Sequence, residues 1–265
     1  MQLLHRIRIG APDERDIAWM HDNMTTIDDV DFNHTTVIVA TNRERQDINN
    51  HAAMMISDPS SKHTLVAEDT GDLGQPLAIG QRQPRVKLAQ KRQALWPETL
   101  TIWKGARVML LANQNVAAGE VNGMLGTVVE FKNDVIIVRN NSNGRLCPVF
   151  RRSQRCGRPT TLLIRKQYPL SLAYAVTCHK IQGQTLRSIA VKLSNGFKRP
   201  GQLYVALSRT KEPEDIKFLE IDDRSIARPF PTHFFDQFVQ RDKLHNISMA
   251  QVNKWMSMAR KRKTY

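Results

Sequence analysis

Residues 35–56, TTVIVATNRERQDINNHAAMMI, decide the fold. Thr36-Val37-Ile38-Val39-Ala40 is an unbroken, mostly β-branched apolar run, as a strand buried on both faces of a parallel sheet requires. Thr41 follows, with Glu44 three residues on. A hydroxyl and a carboxylate at that spacing can each accept the other's backbone N–H, which predicts a capped helix start. Ile48, Ala52, Met55 and Ile56 then recur at helical intervals. A buried strand running straight into a helix is a β-α unit, and the expected fold class is α/β.

Outward from this unit the pattern changes. The first 30 residues read as helical, with Ile7, Ile17, Trp19 and Met20 among charges. From about 57 to 100, Pro59, Gly71, Gly74, Pro76, Gly80, Pro84 and Pro97 punctuate a polar stretch with a basic segment from Arg82 to Arg92. That predicts a loop-rich connection, with residues 71–75 (GDLGQ) as one of its turns. Residues 107–112, 126–131, 135–138 and 146–150 then alternate with the turn residues Asn122-Gly123, Asn133-Asp134 and 140–144. This is the spacing of a small antiparallel barrel or sheet. After Pro169, Ser171 is placed to cap a helix in which Leu172, Ala175, Val176 and His179 share a face and which Gly183 ends. Residues 188–193 and 216–221 read as strands, and 201–209 as a short helix with Leu203, Ala206 and Leu207 inward. A last helix carries Met249, Val252, Met256 and Ala259, followed by a basic run at 260–263.

The chain has 265 residues, 39 of them Lys or Arg against 25 Asp or Glu, a formal charge of +14. The excess is uneven. Residues 1–69 hold 12 acidic and 6 basic side chains, and the remainder holds 13 acidic and 33 basic. A one-sign surplus of this size points to a phosphate backbone as partner, with a merely basic or ribosome-associated surface as the alternative. No apolar run approaches the roughly 20 residues of a membrane span. The start, MQLLHRIRIG, lacks the pattern of a secretory signal. Three cysteines, none in a metal-ligand spacing, predict reduced thiols and no metal site.

Two segments carry candidate chemistry. In residues 168–186, YPLSLAYAVTCHKIQGQTL, a hydroxyl, an imidazole, an ammonium and an amide crowd the end of an element that stops at a glycine. Thr177, His179 and Lys180 can donate to phosphate oxygens, and Gly183 lets a strand approach the backbone. The other reading is a helix end whose cation complements the dipole and whose glycine is a cap. In residues 201–209, GQLYVALSR, the terminal Arg209 suits bidentate contact with phosphate, or else is an ordinary helix-end cation.

Taken in order, PLSLAYAVTCHKIQGQTL and GQLYVALSR resemble the last two motor motifs of superfamily 1 DNA helicases, in the branch that contains the Pif and RecD helicases. LLHRIRIGAPDERDIAWM resembles the entry into that family's second motor domain, and TTVIVATNRERQDIN its first strand-helix motif. WKGARVMLLANQNVAAGEVNGMLGTVVEF resembles the lead-in to its inserted barrel. The resemblance covers about residues 1–222.

It implies a RecA-like second motor domain interrupted by a small SH3-like antiparallel β-barrel. The boundaries expected are a lead-in from a first motor domain at 1–32, RecA-like parts at 33–105 and 166–225, the barrel at 106–165, and a C-terminal helix with basic tail at 226–265. Arg209 would reach across an interdomain cleft to the ATP γ-phosphate. Thr177, His179, Gln182 and Gly183 would link single-stranded DNA to the nucleotide site and share one crevice with Arg209. The nucleotide set implied is Gln182, Gly183, Arg209, Asn42 and Arg43, where Asn42 stands at a position that is arginine in many relatives. The DNA set is Thr177, His179, Lys180, Gln182 and Asn122, with Lys132 or Arg139 on the barrel.

No GxxxxGK[ST] is present, and the dipeptide Gly-Lys does not occur. P-loop motors hold phosphate and magnesium through that loop. ATP and Mg2+ are therefore expected only with a P-loop-bearing RecA-like domain, upstream or on another chain, and the isolated chain is expected to be inactive. The other partner implied is single-stranded DNA, with 5′ to 3′ movement in an intracellular, nuclear setting of DNA repair, recombination or telomere maintenance. The competing expectations are a nucleic-acid-binding module without a motor role, or a decayed mobile-element fragment.

Overall fold

The computed structural model describes residues 2–8, 11–56, 61–71, 74–77, 79–92, 95–157, 162–194, 197, 199, 201–222 and 226. The expected C-terminal helix and the basic run at 260–263 lie outside them. The chain opens with helices α1 (Gln2–Arg8) and α2 (Glu14–Asp22), strand β1 (Thr35–Val39) and helix α3 (Asn42–Ile56). It continues through β2 (His63–Val66), β3 (Glu68–Thr70), α4 (Ile79–Arg92), β4 (Thr99–Ile102) and β5 (Arg107–Leu110). Next come β6 (Leu125–Lys132), β7 (Val135–Asn140), β8 (Leu146–Phe150), β9 (Arg152–Cys156), β10 (Leu163–Gln167) and β11 (Leu170–Leu172). The last are β12 (Ala175–Thr177), β13 (Ser188–Leu193), α5 (Gln202–Leu207) and β14 (Ile216–Ile221).

These elements gather into two compact units. The first comprises the described residues of Met1–Gln46 and Ala175–Tyr265, the second Asp47–Tyr174. The second therefore takes in more chain than the barrel boundary drawn at 106–165.

The first unit is built on a four-stranded sheet in the order β12-β1-β13-β14, every pair parallel. Val37, Ile38 and Val39 are wholly buried, which explains why β1 has no polar alternation. The predicted cap at the end of β1 is present. Thr41 N–H donates to Glu44 at 3.0 Å, and Glu44 N–H donates back to the Thr41 hydroxyl at 3.2 Å. Residues 23–25 lie along β14, with Phe218 N–H donating to Asn23 O and Thr25 N–H to Phe218 O. Part of the stretch expected as a lead-in is thus bridged to this sheet's edge strand. An Arg6–Asp16 double hydrogen bond, both at 2.6 Å, ties α1 to α2.

The second unit holds the four expected strands as β5 to β8 within an antiparallel row β11-β5-β6-β7-β8. Asn133 and Asp134, at φ 44° and 59°, make the left-handed turn between β6 and β7. A three-stranded sheet β3-β10-β9 and a ribbon β2-β4 complete it.

Three expectations need correction. Residues 57–100 are not a loop-rich connection, since they supply β2, β3, α4 and β4. The basic segment is a helix despite Pro84, because Val86 and Ala89 bury against Cys156 and Leu163. On α3 the buried face is Ile48, Asn49 and Ala52, while Met55 is exposed; Asn49 is satisfied by the Tyr174 N–H at 2.9 Å. Finally, no helix starts at Ser171, which pairs with Met109 in β11. Ala175–Thr177 pairs with β1 instead, and only residues 178–181 turn, as a 3-10 helix. Of the turn read at 71–75, the described residues bond to one another, with Gly74 N–H, at φ 74°, donating to Gly71 O at 3.2 Å and Gly71 N–H to Gln75 O at 3.0 Å. No described helix is long and apolar enough to cross a membrane.

Candidate functional site

The site grows from the end of β12. Thr177 is level with Val39 of β1 and is only 9% exposed, so it is part of the buried sheet rather than of the surface. The 3-10 turn Cys178–Ile181 then puts Cys178 and Ile181 inward and leaves His179 and Lys180 exposed. Gln182 and Gly183 follow, both exposed. Gly183 has φ +82°, and nothing lies within 4 Å of where a Cβ would stand. Glycine is therefore needed here for backbone conformation, not for space. Beneath the turn the Cys178 thiol donates to Gln202 O at 3.1 Å. Burial pushes that thiol up to about 12, against the pull of the Arg209 charge, so it is no nucleophile at neutral pH.

Arg209 follows α5, whose Leu203, Ala206 and Leu207 are buried as predicted. Its guanidinium is half-buried and turned onto its own unit. Nε donates to Val205 O at 2.7 Å and Nη2 to the Ser208 hydroxyl at 2.7 Å. Nη1 donates to Gln184 O at 3.1 Å and Ile181 O at 3.4 Å. The Leu186 N–H donates to Arg209 O at 2.8 Å. Arg209 and the segment carrying His179, Lys180, Gln182 and Gly183 are thus joined directly, through backbone carbonyls that no side-chain motif reveals. Ser208 beside it is the one new partner that the sequence string displays.

Asn42 and Arg43 are exposed at the start of α3, beyond the carboxyl end of β1. Thr35, at the opposite end of β1, pairs with Ser188, close to the Leu186 that binds the Arg209 backbone. Asn42 and Arg43 thus follow the end of β1 that is level with Thr177, while the Arg209 backbone is tied to the segment that leads into β13. Arg45, two residues further on, went unnoticed in the sequence. Its Nε is enclosed without a hydrogen-bond partner among the described residues, and burial lowers its pKa. Glu44, in contrast, is well held. It accepts the Ser194 hydroxyl at 2.6 Å, and although burial pushes its carboxyl up, the Ser194 and Thr41 bonds bring it below its usual value.

In the second unit Asn122, Lys132 and Arg139 are all exposed. The Asn122 N–H donates to the Asn113 side chain at 2.7 Å. Among the described residues there is no group of three or more metal-ligating side chains.

No protein-family model matches the chain. Over 161 residues it is 34% identical to the ATP-dependent DNA helicase PIF1 of Xenopus laevis, covering 57% of this chain and 24% of that protein. Over 144 residues it is 38% identical to the Pif1 helicase of Bdellovibrio bacteriovorus, covering 53% and 32%. Among solved structures it aligns with Bacteroides Pif1 bound to ssDNA at a TM-score of 0.64 and 25% identity, covering 91% of this chain and 53% of that one. Pif1 from Candida albicans aligns at 0.68 but 21% identity, over 89% and 57%, a likeness of fold alone. The relatives are Pif1-family superfamily 1 helicases, and the α/β fold is RecA-like. The chain spans about half of the solved helicases and about a quarter to a third of these curated relatives.

Proposed function

We propose that this homologue of the Pif1-family helicases is the second-motor-domain portion of an ATP-dependent DNA helicase, lending DNA contacts and a trans arginine to a P-loop half supplied elsewhere. One observation carries the reading: Arg209 is hydrogen-bonded to both ends of the exposed turn that holds Gln182 and Gly183. A group able to meet phosphate and a segment able to meet a nucleic-acid strand are mechanically one.

On this reading His179, Lys180 and Gln182 meet the DNA backbone, and the row β11-β5-β6-β7-β8 is an SH3-like insertion that offers Asn122, Lys132 and Arg139 to the strand. ATP and Mg2+ enter with the P-loop half. Arg209 then exchanges neutral carbonyl acceptors for a γ-phosphate, whose negative charge attracts the guanidinium directly and whose oxygens suit its bidentate fork. Such an arginine is worth roughly 10³- to 10⁵-fold, but only on a nucleotide already cradled with its metal. Nuclear work in repair, recombination or telomere maintenance belongs to the same proposal.

A second reading, a nucleic-acid-binding module without a motor role, is favoured by the commitment of Arg209 to four acceptors in its own unit. Both readings require DNA binding. Fluorescence anisotropy with a labelled oligo-dT checks it: affinity should fall steeply with salt, by a log-log slope of about −0.7 for each phosphate neutralised. Absent or salt-independent binding would remove both.

A further inference from the structure

We infer that Arg209 has a second role that needs no nucleotide: it is the positioning residue of the turn at 181–184, and through that turn of Gln182 and Gly183. The inference rests on the proposal that this turn meets DNA. Its geometric basis is independent of ATP. One guanidinium nitrogen spans Ile181 O at 3.4 Å and Gln184 O at 3.1 Å, the two carbonyls that flank Gln182 and Gly183. The Gln184 N–H closes the same turn on Ile181 O at 3.0 Å, and the next backbone tie, Leu186 N–H to Arg209 O, also ends on this residue.

A Cβ placed on Gly183 would meet nothing within 4 Å, so side-chain packing at that position does not hold the turn in shape. The guanidinium itself is fixed from the other side, with Nε on Val205 O and Nη2 on the Ser208 hydroxyl, which in turn donates to Val205 O at 3.2 Å. A planar fork can serve α5 and the turn together. A lysine ammonium is a single point charge and cannot span both.

The test is ssDNA affinity of the full chain without nucleotide or magnesium, for wild type, Arg209→Lys, Arg209→Ala, Gln182→Ala and the Gln182→Ala/Arg209→Ala double variant. Far-UV circular dichroism and thermal unfolding accompany each as a check on folding. Both Arg209 variants should bind about tenfold more weakly, and the double variant no more weakly than the weaker single, the non-additivity of residues acting through one another. The salt slope should stay that of wild type, whereas loss of a direct phosphate contact would reduce it by about 0.7.

Wild-type affinity in Arg209→Ala, a reduced slope, or fully additive losses would overturn the inference. If Gln182→Ala binds like wild type, the DNA reading of the turn is at fault instead. Amide hydrogen exchange at 182–186 then decides the positioning role: faster exchange in Arg209→Lys supports it, and unchanged exchange rejects it.

Discussion

Arg165 and Asp69 face each other across β10 and β3 in a bidentate ion pair closed to solvent. Nε meets Oδ1 at 2.7 Å and Nη2 meets Oδ2 at 2.6 Å, with 2% and 1% of the side chains exposed. Arg82 of α4 adds a third contact to Asp69 at 3.0 Å, and the remaining Arg165 nitrogen donates to Trp96 O at 2.8 Å. The network fastens α4 to its sheet in the unit that carries the proposed insertion. Asp69→Ala strands a buried guanidinium and should cost about 3–5 kcal/mol in urea unfolding. The exposed pair Lys166–Glu68, at 3.6 Å, is the control, and Glu68→Ala should cost about 1 kcal/mol or less. Equal losses would show that the buried pair has no special weight.

The same carboxylate sets an acid limit. Burial pushes the Asp69 pKa up, but the Arg165 and Arg82 guanidiniums more than offset it, so the net shift is downward. A folded-state pKa below the unfolded one means that the stabilisation is complete above the usual aspartate value of about 3.9. It is lost as pH falls through the lowered folded value. The urea-midpoint gap between wild type and Asp69→Asn should therefore hold steady from pH 6 to about 4 and shrink below that. A gap that closes already between pH 6 and 5 would contradict the assignment.

Two glycines should respond differently to alanine. At Gly126, in the middle of the antiparallel row, a Cβ would collide with Val138 Cγ1 and stand 2.7 Å from Arg139 O. Gly126→Ala should destabilise by about 3 kcal/mol, the upper end of the roughly 1–3 kcal/mol typical of overpacking, because the groups it meets include backbone. Gly183→Ala meets no neighbour and pays only for its left-handed φ, about 1–2 kcal/mol. Thermal unfolding of the two variants checks the order, and a more damaging Gly183→Ala would mean the turn packs against something.

What could be read in the sequence was what is local. Thr36–Ala40 and the Thr41/Glu44 box state their own structure within nine residues, and 188–193, 201–209 and 216–221 do the same. Ala175–Thr177 does not, because its strand identity comes from pairing with Val37–Val39 far upstream, while the spacing of Leu172, Ala175, Val176 and His179 imitates a helix. α4 was hidden by Pro84 and its cations, since among its described residues the buried apolar ones are just Val86 and Ala89. Arg209 was visible as a motif residue, but its carbonyl partners at 181, 184 and 205 were not, because every residue has a carbonyl. Thr177, grouped by motif with exposed neighbours, is buried for the same non-local reason that makes its segment a strand.

The most direct test of the motor proposal is reconstitution. This chain is mixed with a separately supplied P-loop-bearing RecA-like domain of a Pif1 relative, and ATP hydrolysis is measured with Mg2+ and single-stranded DNA. The account predicts no turnover by the chain alone, DNA-stimulated turnover by the mixture, and a loss of roughly 10³-fold or more in the mixture carrying Arg209→Ala. Magnesium-dependent hydrolysis by the chain alone, or a mixture indifferent to Arg209→Ala, would contradict it.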